Sequence, residues 1–212
     1  MQRALLLIGP ALFLLAEIIL PGGSADPATR TAIVQAHGAA WALGHQVIAV
    51  AFTFLVLWLG DLYTFVRVGN ELTTFFGALL SVFALIADYA VAMLQLLTLD
   101  LVRTEPADQV APVLALVGRS SNLMALAFLP TLGFCLGFGL LAIGFYRRTR
   151  QALPAALLAA AGLLITVAGV LHVKGGVVLG GLALGGFAVL FCNVGDGLAL
   201  PCRGKCLPVD EQ

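Results

Sequence analysis

The sequence predicts an all-α membrane protein: a bundle of six transmembrane helices with both termini in the cytoplasm. Three observations predict it. Hydrophobic residues make up 61% of the 212 residues and charged residues only 10%, where a typical soluble domain carries about 25% charged residues. The mean hydropathy is +1.05. The apolar residues gather in six runs, 4–20, 39–60, 72–99, 122–146, 152–171 and 177–194, each near the roughly 20 residues that cross a bilayer core about 30 Å thick. The connections are too short for a second soluble domain. Residues 1–212 therefore read as a single transmembrane domain, with 195–212 as a cytoplasmic tail.

The first run has Arg3 before it and Gly22-Gly23-Ser24-Ala25 after it, which also fits a secretory signal peptide. Glu17 interrupts the apolar stretch, so we expect a retained helix. After it, Asp26-Pro27 is a helix start, with Asp at the N-cap and Pro at the first helical position. That helix is expected to run through Gly38 into the second span. Trp41 and Trp58 lie about 26 Å apart along a helix, the spacing of two interfacial aromatic belts. In the third span Thr74, Ser81, Asp88 and Gln95 recur every seven residues. Seven residues are nearly two turns, so the four share one stripe, which must face the bundle interior. Such a stripe is either a packing seam or the wall of a hydrated site. Asp88 favours the site, because an acid near mid-membrane costs a few kcal/mol unless it is paired, protonated or hydrated.

Between the third and fourth spans, Val110, Val113, Leu114 and Val117 follow Pro106 at i, i+3, i+4 and i+7. This spacing predicts a short helix lying in the outer interface. The fourth span begins at Asn122 and ends at Tyr146, before a basic loop. The sixth contains two small-xxx-small pairs, Gly176/Gly180 and Gly181/Gly185, which let helix backbones approach closely. We expect these glycines to pack within the monomer; the other use is docking a second copy or a partner subunit. Cys135 and Cys192 read as packing residues. Cys202 and Cys206 read as free thiols of the tail in a reducing cytoplasm.

Orientation follows from Lys and Arg in short loops. With the Arg147-Arg148-Thr149-Arg150 loop inside, Arg3, Arg67, Arg147, Arg148, Arg150, Arg203 and Lys205 are cytoplasmic. Arg30, Arg103, Arg119 and Lys174 are outside. Seven and four account for all eleven Lys and Arg, a bias in the expected sense. The zero net charge and the lack of a basic block exclude a nucleic-acid partner.

Once the spans are oriented, polar residues collect in the outer half. Glu17 nears the end of the first span. His45 lies a turn below Trp41, on a face shared with His37. Asp88 and Gln95 lie on the third span, Asn122 starts the fourth, and His172 ends the fifth. The implied feature is an outward-facing polar cavity, with Asp88 as its proton-sensitive group and His45 as its gatekeeper. The leading expectation is a membrane protein, not an enzyme, that binds or passes a small polar solute or proton. On that reading no cofactor is needed. The alternative is an intramembrane redox protein or enzyme, with a divalent metal at His45, His172 and Glu17, or haem between His45 and His172. A third is a structural accessory subunit docking through the sixth span.

Residues Gly139–Gly169 pair a glycine-rich span with the Tyr146-Arg147-Arg148-Thr149-Arg150 loop, Pro154 and a second small-residue span. This stretch resembles a group of uncharacterised bacterial six-span membrane proteins. The resemblance implies six helices in the bacterial inner (plasma) membrane. It implies no activity and no catalytic residues.

Overall fold

The computed structural model describes the backbone of residues 2–22, 24, 26–68, 70–171 and 174–197, and the side chains of these except 2–6, 107, 118, 121–129 and 193–197. Their elements are α1 (Gln2–Ile19), α2 (Pro27–Ala36), α3 (Gly38–Val66), α4 (Glu71–Thr104), α5 (Ala107–Arg119), α6 (Ser121–Thr149), α7 (Ala152–Leu171) and α8 (Lys174–Gly197). Among the described residues, α3, α4, Pro130–Thr149 of α6, α7 and Lys174–Cys192 of α8 are long and apolar enough to cross a membrane. Leu57, Phe83, Ile86, Leu97, Leu136 and Leu182 are each more than half exposed. An outer surface this apolar suits lipid and not water. The chain is an all-α, multi-pass membrane protein. The apolar part of α1, Leu7–Ile19, is shorter than the other five spans.

Six helices close a ring. α1 packs on α3, α3 on α4, α4 on α6, α6 on α7, α7 on α8, and α8 returns to α1. In lipid, two helices gain little by hiding Leu from Leu, so close backbone approach decides which faces meet. On α6, a Cβ at Gly133 would lie 2.6 Å from that of Ala84, and one at Gly137 would lie 2.8 Å from the Ser81 amide nitrogen. Thr74 and Ser81 are wholly buried on this seam. Their hydroxyls donate to carbonyls of their own helix, Asn70 O at 2.8 Å and Gly77 O at 2.8 Å, so no polar atom is stranded there. Gly176 and Gly180 admit Ala168 and Ile165 of α7, and Gly181 packs beside Phe13 and Leu14 of α1. Gly185 faces open space. Three of the four expected packing glycines thus act within the chain.

One half of the ring is filled by aromatic side chains. Trp58 meets the edge of Phe187 at 5.7 Å and that of Phe138 at 6.3 Å. Phe145, Phe187 and Phe191 continue the cluster. At the ring end carrying the basic loop, Arg147 donates to Asn70 Oδ1 at 3.1 Å and Arg148 stands 4.2 Å over the Phe65 ring. Arg150 ends α6 in the left-handed region, φ 59°.

The opposite end is roofed by α2 and α5, which pack on each other and on α4. Val34, Trp41, Leu99, Val102, Val110 and Leu114 form a small separate core there. Asp26 caps α2 as expected, accepting from the Thr29 amide at 2.8 Å and the Thr29 hydroxyl at 2.6 Å. These two bonds hold the Asp26 carboxyl below its usual range.

Two expectations require correction. The helix from Asp26 does not continue into α3. It breaks at His37 (φ −127°, ψ 30°), and this turn lets α2 swing over the ring to meet α5. His37 is consequently exposed and does not share a face with His45. Trp41 and Trp58 are not belt residues; they are 4% and 1% exposed, each drawn inward by ring contacts. The short helix expected after Pro106 is present as α5, with Val110 and Leu114 buried and Val113 and Val117 pointing outward.

Candidate functional site

A pocket of about 200 Å³ opens at the roofed end of the ring. Its polar wall is Glu17 from α1, Trp41 and His45 from α3, Gln95 from α4 and Lys174 from α8, with α7 supplying Ala168 and Gly169. Three residues singled out in the sequence, Glu17, His45 and Gln95, thus meet on one cavity. They meet because α1, α4 and α7 end where α3 and α8 begin.

The wall is ordered by a short chain of hydrogen bonds. Trp41 Nε1–H donates to the Gln95 backbone oxygen at 2.9 Å, tying α3 to α4. His45 lies one turn further along α3, its ring 4.8 Å from that of Trp41. His45 Nδ1 is 2.8 Å from the Trp41 carbonyl oxygen. A carbonyl can only accept, so Nδ1 carries the proton, and in the neutral ring Nε2 keeps its lone pair. No described residue hydrogen-bonds to Nε2.

Lys174 closes the other side. Its ammonium donates to the Ile18 carbonyl at 3.3 Å and, more closely, to the Leu20 carbonyl. It thereby satisfies the last carbonyls of α1 and sits at the negative end of that helix's dipole. Lys174 also offsets the charge on Glu17 through space. The sequence showed Lys174 only as one of the outer basic residues; its reach back to α1 is a property of the ring.

Asp88 does not line the pocket, contrary to expectation. It lies two turns from Gln95 along α4, roughly 10 Å deeper. Asn122 stands in the first turn of α6, and its side chain lies outside the described residues. His172 and the tail cysteines, Cys202 and Cys206, also lie outside them. Among the described residues no three His, Cys, Asp or Glu side chains cluster as metal ligands do; the trio His45, His172 and Glu17 is not covered, since it includes His172.

Among the described residues two buried side-chain atoms have no partner, Trp58 Nε1 in the aromatic cluster and Gln95 Oε1 on the pocket wall. Gln95 Oε1 is enclosed and receives no hydrogen bond, which costs about 1–3 kcal/mol when uncompensated. Comparison with family models, curated proteins and solved structures finds no match.

Proposed function

We propose that the chain is a six-crossing protein of a bacterial plasma membrane that binds or passes a small polar solute or proton at the roofed end of its ring. Both termini are cytoplasmic on this reading, and the pocket opens outward. The place of α1 in the ring supports its being the sixth crossing. Its exposed Leu15 and Ile18 fit a lipid-facing side.

The observation that carries the functional reading is the convergence of Glu17, His45, Gln95 and Lys174 from four helices on one cavity. Polar groups in a membrane are costly and rarely gather without use. Asp88, deeper on α4, is the group that a proton would reach next. Asn122 and His172 are further candidates for the site on the sequence pattern alone. The aromatic cluster around Trp58 fills the other half of the ring, so passage requires that cluster to shift, whereas binding does not.

The test combines two measurements on purified protein. One is thermal stabilisation across a set of small polar solutes. The other is proton flux into proteoliposomes holding a pH-sensitive dye. A response in either, lost in Glu17→Gln and His45→Ala, is expected. No response, or one that both variants retain, removes the reading.

A further inference from the structure

We infer that the pocket's occupant is a small organic ammonium ion. The inference rests on the binding reading above and names its ligand class. Its basis is the set of open acceptors on the wall. The Trp41 N–H is already given to the Gln95 carbonyl. The Lys174 ammonium is already given to two α1 carbonyls. The acceptors are unspent. The Glu17 carboxylate receives no hydrogen bond from a described residue, nor does His45 Nε2, and Gln95 Oε1 is enclosed without a donor. Against these acceptors the described wall keeps in reserve the Gln95 side-chain N–H groups and the third N–H of Lys174; an open carboxylate beside two further open acceptors selects a solute that brings N–H groups.

Size completes the match. About 200 Å³ is several times the roughly 30 Å³ that a water molecule takes in the liquid, so the space suits a solute of a few heavy atoms and not a bare ion.

The experiment is titration calorimetry of detergent-purified full-length protein with methylammonium, tetramethylammonium, sodium, zinc, acetate and glycerol at fixed ionic strength. Methylammonium is expected to bind, with tetramethylammonium weaker because it brings no N–H. Glu17→Gln is expected to weaken methylammonium about tenfold or more, the scale of one charge-assisted hydrogen bond. Gln95→Met, close in volume, is expected to weaken it less, and both variants must elute as wild type does. Binding of acetate, glycerol, sodium or zinc in place of methylammonium overturns the ammonium assignment and leaves the polar-pocket reading standing. Binding that Glu17→Gln weakens no more than Leu57→Ala, on the outer surface, overturns the assignment as well. Absence of binding by all six, with no proton flux, overturns both.

Discussion

Gly137 and Gly139 stand two residues apart on α6, yet a methyl group has opposite consequences at the two positions. At Gly137 the new Cβ would press on the Ser81 amide at 2.8 Å, backbone that cannot yield. At Gly139 it meets nothing within 4 Å. Gly137→Ala is therefore expected to destabilise by about 1–3 kcal/mol through overpacking. Gly139→Ala is expected to be neutral or to stabilise by up to about 1 kcal/mol, since Ala is the better helix former. Reversible unfolding in mixed micelles measures both. The same comparison shows how far a residue's role is legible in sequence. The Thr74–Gln95 stripe announced an inward face by its period. It could not say that Thr74 and Ser81 press on glycines of α6 while Gln95 turns to a cavity, because the identity of the neighbouring helix is not written in the stripe. Trp41 and Trp58 show the opposite failure: their spacing matched two belts, and only the ring contacts reveal them as interior residues.

At the scale of elements, the roof is held by little. Leu114 is 6% exposed in the small core shared by α2, α3, α4 and α5. Leu114→Ala is expected to cost the roof about 2–5 kcal/mol. Amide exchange in α2 and α5 should rise, while the α4–α6 seam keeps its protection. Exchange rising equally in the seam would show that roof and ring unfold as one unit. Since Trp41 belongs both to this core and to the pocket wall, ligand release should quicken in the same variant. Acid should loosen the roof too. The Thr29 hydrogen bonds depress the Asp26 carboxyl from its ordinary 3.8. A depressed carboxyl stabilises above its unfolded value and loses that contribution as pH falls through 3.8 and below its folded value. Exchange in α2 should therefore rise over that window in wild type and be flat in Asp26→Asn. The sequence made this cap visible, because Asp-Pro is local chemistry. It concealed the break at His37, which is imposed by the docking of α2 on α5, a contact between segments some seventy residues apart.

At the scale of the whole molecule, the ring and the charge distribution make a joint statement about topology that labelling can decide. Hydropathy located α3, α4, α6, α7 and α8 because crossing lipid imposes a similar apolar length on each. It could not weigh α1, whose apolar part is shorter and carries Glu17. The ring gives α1 a place between α3 and α8, and Lys174 fastens its last carbonyls. Five crossings and six differ in one observable. If α1 crosses, position 2 lies on the side of the Arg147–Arg150 loop; if it does not, position 2 lies with Glu105 and the roof. Single cysteines at Gln2, Glu105 and Arg150, in a chain with its four native cysteines replaced by serine, separate these arrangements. A membrane-impermeant maleimide on intact cells is expected to label Glu105→Cys alone, with Gln2→Cys and Arg150→Cys reacting only after permeabilisation. Labelling of Gln2→Cys in intact cells would reduce the crossings to five. Labelling of Arg150→Cys there would invert the protein, turn the pocket toward the cytoplasm, and make any solute it binds a cytoplasmic one.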